Sequence, residues 1–198
     1  MRVVLATGNV GKQRELTELL APRGFMLLRQ TELGVESIEE TGTTFEANAL
    51  LKARHAARVT GLPALSDDSG LEVDALGGRP GVWSARFAGE GASDADNLAL
   101  LLRELASVPA DRRSARYRCV IAFVQSADDP QPLIAHGAWE GHITLQPQGE
   151  GGFGYDPAFV PQGLAQTVAQ MDAVAKNAVS HRALALHSLL AQLPRSTR

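Results

Sequence analysis

Several short stretches of this 198-residue chain carry residue types suited to handling phosphate groups. Thr7-Gly8-Asn9-Val10-Gly11-Lys12 lies between a short apolar run and a helical pattern. Gly8 and Gly11 admit close backbone approach, and the free N–H groups and dipole at a helix start favour an anion. Lys12 and Arg14 fall in the first turn, where a cation costs about 0.3–1 kcal/mol at low ionic strength, so a bound anion would account for them. A tight strand-to-helix turn with exposed basic residues is the competing reading. Gln13 stands where a Walker A loop has Ser or Thr, so this is not the Walker arrangement and a metal must be held elsewhere.

The acid pairs Glu39-Glu40 and Asp67-Asp68 are the candidate holders. Mg²⁺ takes hard oxygen ligands, commonly one or two carboxylates plus phosphate oxygens. Asp67-Asp68-Ser69-Gly70 is expected at the end of a strand, where open α/β sheets place ligand crevices. Adjacent acids there are unfavourable unless a cation or proton offsets them, although such a run also reads as an ordinary turn. Thr44, Asn48 and Lys52 form a polar stripe at helical spacing, which serves a site only if it faces one and otherwise faces solvent. Ser180 suits a helix N-cap, and His181 and Arg182 then repeat the oddity of cations in a first turn, with Lys176 just upstream. Phe153 and Tyr155, set among glycines and beside Asp156, offer an aromatic face and a carboxylate to a planar base, or else plug a loop.

The elements that must position these groups follow from periodicity. Residues 2–6 read as a buried strand, about 12–21 as a helix and 25–29 as a second strand. Thr43 to about Thr60 reads as a long helix with Phe45, Ala49, Ala53 and Ala56 on one face, stopped by Gly61-Leu62-Pro63. A strand from about Ala64 leads into the acid pair, and the glycine-rich segment 77–81 follows. Asp94–Ala106 is a leucine-rich helix, 116–125 and 133–145 form an antiparallel hairpin, and Ser180 to about Leu193 is a last helix. Early alternation of strand and helix with a later hairpin predicts one α/β domain over 1–198, with a central mixed sheet flanked by helices and two lobes with a cleft between them.

Bulk properties exclude several classes. A formal net charge of −3 argues against DNA or RNA as main partner. No stretch approaches the ~20 apolar residues of a membrane span, and the N-terminus has no secretory pattern. The single cysteine, Cys119, lies in an apolar run and reads as a buried inert thiol, suited to a reducing cytoplasm. With 5% aromatics, each aromatic side chain is a candidate for a specific task.

Taken in order, Thr7-Gly8-Asn9-x-Gly11-Lys12, Thr44-Phe45-x-x-Asn48-Ala49-x-x-Lys52-Ala53, Asp67-Asp68-Ser69-Gly70-Leu71, Gly152-Phe153-Gly154-Tyr155-Asp156-Pro157 and Ser180-His181-Arg182 resemble the Ham1/RdgB family of inosine triphosphate pyrophosphatases across essentially the whole chain. The resemblance implies an elongated α/β fold, a homodimer, and Mg²⁺-dependent hydrolysis of deaminated purine triphosphates (ITP, dITP, XTP) to monophosphate and pyrophosphate. It implies that Thr7, Gly8, Asn9, Val10, Gly11 and Lys12 bind the triphosphate with Lys52. Glu40 and Asp68 would serve the metal, Asp68 would accept a proton, and Ser69 would touch substrate. Phe153, Gly154, Tyr155, Asp156, Lys176, His181 and Arg182 would surround the nucleoside, with His181 and Arg182 as donors to the 6-oxo oxygen. Ala175 and Gln170 stand where members often carry acids. The alternatives are a Maf-type nucleotide pyrophosphatase and a non-catalytic nucleotide sensor, for which the acids Glu40, Asp67 and Asp68 have no evident use.

Overall fold

The computed structural model describes residues 1–193. Strand β1 (Arg2–Leu5) buries Val3, Val4 and Leu5, and the chain then enters helix α1 (Val10–Leu20) through Asn9, whose side-chain oxygen accepts the Lys12 N–H at 3.0 Å. Strand β2 (Met26–Arg29) follows. Helix α2 (Phe45–Thr60) begins on a Thr44 cap and ends at Gly61 in the left-handed conformation, with Phe45, Ala49, Ala53 and Ala56 buried as their spacing requires. Strand β3 (Ala64–Val73), helix α3 (Asp94–Glu104), strands β4 (Ser114–Val124), β5 (Leu133–Ile143) and β6 (Phe159–Pro161), and helices α4 (Ala173–Val179) and α5 (His181–Gln192) complete the order.

The six strands form one sheet in the order β2-β1-β3-β4-β5-β6. β1 runs parallel to β2 and β3, and β5 runs antiparallel to β6, so the sheet is mixed as expected. The link 125–132 between neighbours β4 and β5 is shorter than the dozen or so residues a parallel crossover needs, which makes them the anticipated hairpin.

The chain resolves into two compact units. The first comprises Met1–Asp68, Cys119–Gly137 and the chain from Arg182; the second comprises Ser69–Arg118 and Ala138–His181. Each has its own apolar core. In the first unit Val3, Leu5, Leu16, Leu65, Ile121, Phe123, Leu186 and Leu189 pack together. In the second unit Leu71, Val73, Leu101, Tyr117, Ile143, Tyr155 and Phe159 do so. Among the described residues, no helix is long and apolar enough to cross a membrane.

Three expectations change. Asp67-Asp68-Ser69-Gly70 does not end its strand: β3 runs on to Val73, and Ala64 to Asp68 are buried without alternation, as in a strand covered on both faces. Gly70 is required there because a Cβ would collide with the Gly81 carbonyl and the Ser84 hydroxyl, which accepts the Leu71 N–H at 2.9 Å. The polar stripe of α2 does not face solvent as a whole. Asn48 is fully buried, accepting the Gly42 N–H at 2.8 Å, Lys52 is mostly buried, and Thr44 alone of the three is exposed. Strand β6 and helix α4 were not anticipated, since three residues show no period and α4 is a single alanine-rich stretch capped by Asp172.

Two leucines of α5 test the core assignment. Leu186 is buried and Leu184 is 42% exposed. Leu186→Ala should lower unfolding stability by about 2–5 kcal/mol in a urea titration, while Leu184→Ala should stay within about 0.5 kcal/mol.

Candidate active site

Side chains along a strand alternate between faces, and in the first unit this alternation sorts the two aspartates of β3. Ser66 and Asp68 meet α2: the Ser66 hydroxyl donates to the Ala49 carbonyl at 2.6 Å, and Asp68 Oδ1 accepts Lys52 Nζ at 3.3 Å. Leu65 and Asp67 meet α1 and α5. Leu65 packs with Leu16 and Leu186, and Asp67 Oδ2 lies 3.0 Å from Lys12 Nζ and 3.4 Å from Arg182 Nε. Helical spacing supplies these partners, since Lys12 and Leu16 stand four apart on α1 and Arg182 and Leu186 four apart on α5.

The environments of the two carboxylates diverge. Asp67 is fully buried. Burial works to raise its pKa, but Lys12, Arg182 and Lys52 outweigh it and hold the group well below the usual carboxylate range. Asp68 is pushed the other way: burial raises its pKa, Lys52 and Lys12 pull it down, and Glu40 and Asp67 add to the rise, leaving it above the ordinary value. Lys52 also donates to Glu40 Oε1 at 2.5 Å. Burial favours its neutral form, yet Asp68, Glu40 and Asp67 together keep its pKa above normal. Arg182, expected beside a nucleoside, is 1% exposed and binds Glu15 as well as Asp67. Cys119 is buried, and burial pushes its thiol up to about 12, in keeping with an inert cysteine.

The Thr7–Lys12 loop is braced from within. The Asn9 N–H donates to Thr7 Oγ1 at 3.2 Å, and the buried Gln13 side chain donates to the Thr7 carbonyl at 2.7 Å, so the residue that breaks the Walker pattern acts as a strut. A cavity of about 50 Å³ beside the loop is lined by Thr7, Gly8, Ser37, Lys52 and His55, among others. A Cβ on Gly8 would meet only Ser37 Oγ, at an ordinary 3.6 Å, so the protein's own packing does not demand a glycine there. Val10 is exposed and Gly11 lies within α1.

In the second unit Phe153 and Lys176, two of the predicted nucleoside residues, meet at a third, Asp156. Its Oδ2 accepts Lys176 Nζ at 2.9 Å and the Phe153 N–H at 3.0 Å, while Oδ1 accepts the Tyr117 hydroxyl at 3.0 Å. Gly152, in the left-handed region at φ 74°, passes so near that a Cβ would strike this carboxylate. Lys176 Nζ also sits 4.6 Å from the Phe153 ring centroid. His181 stacks on Tyr117, with centroids 4.7 Å apart and planes 11° apart. The Gly154 N–H donates to Asp94 Oδ2 at 2.7 Å, and Ser69 is half-buried on β3. Tyr155 does not offer its face to a base: it is buried in the core and its hydroxyl donates to the Ser84 carbonyl at 2.8 Å.

Among the described residues no group of three or more His, Cys, Asp or Glu is arranged to hold a metal. Glu40 and Asp68 nevertheless reach the same Lys52 ammonium, a pair of hard oxygen donors already drawn to one cation, which fits an ion that completes its shell with phosphate oxygens. Two participants escaped the sequence reading. Glu15 gave no signal beyond its three-residue step from Lys12, whereas Tyr117 is one of only two tyrosines in a chain poor in aromatics.

The two aspartates should respond oppositely to amidation. Asp67→Asn strands buried cations and should cost about 3–5 kcal/mol of unfolding stability at pH 7, while Asp68→Asn, which removes a charge that burial already disfavours, should cost far less. Because the pKa of Asp67 is lowered by folding, its contribution is present above the unfolded value of about 3.9 and fades as the pH falls below it. The stability gap between wild type and Asp67→Asn, followed by urea unfolding, should therefore narrow below about pH 4.

The model of the Ham1 family matches residues 3–192. A dITP/XTP pyrophosphatase of Escherichia coli is 56% identical over 189 residues, covering 96% of each chain, and one of Yersinia pseudotuberculosis is 57% identical over the same share. Among solved structures, a HAM1 protein from Coxiella burnetii aligns with a TM-score of 0.89 at 48% identity, covering 96% of this chain and 97% of that one. A nucleoside-triphosphatase / dITP/XTP pyrophosphatase from Mycobacterium abscessus aligns with a TM-score of 0.77 at 43% identity, covering 96% and 99%. Because the family model spans nearly the whole chain and relatives more than half identical cover 96% of it, the chain belongs to the Ham1 family.

Proposed function

We propose that this protein hydrolyses purine nucleoside triphosphates bearing a deaminated base, such as ITP, dITP and XTP, to the monophosphate and pyrophosphate. The relatives' designation as dITP/XTP pyrophosphatases supports the substrate class. The observation that carries the chemistry is the division of labour between neighbouring carboxylates: Asp67 is held as an anion by Lys12 and Arg182, while burial raises the pKa of Asp68 and makes it the better proton acceptor.

In this reading Lys12, Lys52 and the Thr7–Lys12 loop take the phosphates and neutralise charge as it develops, with the loop braced in advance so that little reorganisation is needed. Asp68 orients a water and accepts its proton as the water oxygen bonds to the α-phosphorus. The bond from that phosphorus to the bridging oxygen breaks, and pyrophosphate departs. Glu40 and Asp68 would hold a divalent ion, for which Mg²⁺ suits the oxygen donors, and it would supply Lewis-acid stabilisation of phosphate charge.

The nucleoside falls to Ser69, Phe153, Gly154, Asp156, Lys176 and His181. Donors aimed at a 6-oxo oxygen are left unpaired by the 6-amino group of adenine, which disfavours ATP. We give this task to His181 and Lys176. Arg182 is assigned to anchoring Asp67, since its guanidinium is already bound to two acids. Family resemblance also proposes a homodimer, which light scattering on the purified protein would decide.

Incubating the protein and Mg²⁺ with ITP, XTP, GTP, ATP and dTTP, and identifying products by phosphorus NMR, tests the reading. Pyrophosphate from ITP and XTP in preference to the others is expected, together with near-complete loss of turnover in a folded Asp68→Asn variant. Release of single phosphate, or no preference for ITP and XTP, overturns it.

A further inference from the structure

We infer that Tyr117 is a positioning residue for nucleoside recognition: its ring holds His181 and its hydroxyl holds Asp156, so one side chain of β4 sets both. The inference rests on the nucleoside assignment above.

The two tyrosines of the chain both lie in the core of the second unit and do different things there. Tyr155 directs its hydroxyl to a backbone carbonyl, a contact that serves the fold. Tyr117 directs its hydroxyl to a carboxylate, Asp156 Oδ1, at 3.0 Å. That carboxylate uses its other oxygen to hold Lys176 Nζ and the Phe153 N–H, so three of its roughly four acceptor sites are committed to fixing neighbours. Asp156 therefore acts as a clamp on the Lys176–Phe153 pair, and Tyr117 is the donor that orients the clamp.

The ring has a second task. One face lies nearly parallel to the His181 imidazole, while Phe159 meets it edge-on at 4.7 Å and 60°. Phe159 is fully buried and lies 6.0 Å from Trp139, so the tyrosine is braced by the core on one side and braces His181 on the other. Packing alone would be served by phenylalanine. The hydroxyl, placed in a buried setting against a charged acceptor, is the part that packing does not explain.

Tyr117→Phe keeps the ring and deletes the donor; Tyr117→Leu deletes both. For Tyr117→Phe we expect KM for ITP to rise about tenfold with kcat held within about twofold, the split that loss of ground-state binding produces. Melting temperature should fall by only a few degrees, the cost of a buried carboxylate losing one of its three donors. Tyr117→Leu should raise KM further and shift the His181 ring-proton NMR signals, assigned through His181→Gln, because the stacked ring's current is gone. A purely structural role would lower melting temperature and leave KM unchanged. That result, wild-type KM in Tyr117→Phe, or unmoved His181 signals in Tyr117→Leu overturns the inference. If Tyr117→Leu does not fold, Tyr117→Phe decides alone.

Wild-type turnover is measured first. Absence of pyrophosphate release would sink the proposed function, and the inference would then be judged by calorimetric binding of ITP without metal to wild type and Tyr117→Phe. Equal affinity in the two, or no binding to wild type, overturns it.

Discussion

A pleated strand cannot send two successive side chains to the same face, and the site of the first unit depends on that constraint. Asp67 and Asp68 are adjacent in sequence, so they diverge in space: one turns to the cations of α1 and α5, the other to Lys52 of α2. Two carboxylates sharing one environment would raise each other's pKa and blur their roles. Separated by the pleat, one becomes a permanent anion that ties three elements together, and the other becomes a titratable group beside a lysine.

Burial gives the first of these its structural weight. Asp67, Arg182 and Glu15 are all buried, and a buried ion pair contributes little net stability beyond its own desolvation, yet removing one member leaves an uncompensated charge. The network therefore specifies where Lys12 and the start of α1 must be more than it strengthens the fold. Lys12 is fixed at both levels, by its salt bridge to Asp67 and by the Asn9 cap that accepts its N–H. A loop held in this way is prepared for an anion before one arrives.

The second unit repeats the device with another buried carboxylate. Asp156 gathers a lysine, a backbone N–H and a tyrosine hydroxyl, and Gly152 is the residue that lets the chain pass close enough. In both units a buried acid positions a lysine, so the charged groups on which the proposed chemistry relies are held by the fold.

Much of the fold was legible in the sequence because it is written in local periodicity. The period of Phe45, Ala49, Ala53 and Ala56 marks α2, and apolar runs mark β1 and β4. The motif residues were also legible as types: acids for a cation, glycines for close approach, lysines for phosphate. What local pattern does not contain is partnership across the chain. Arg182 and Glu15 are 167 positions apart, and Tyr117 and Asp156 are 39 apart. The same lack made Asp67-Asp68-Ser69-Gly70 look like the end of a strand, and it left open whether Tyr155 faces a base or the core. The sequence by itself determined the elements and the inventory of reactive groups. Only the tertiary structure decided which acid is held as an anion by buried cations, which has its pKa raised by burial and which side chains hold them, because burial and charge pairing depend on segments distant in sequence.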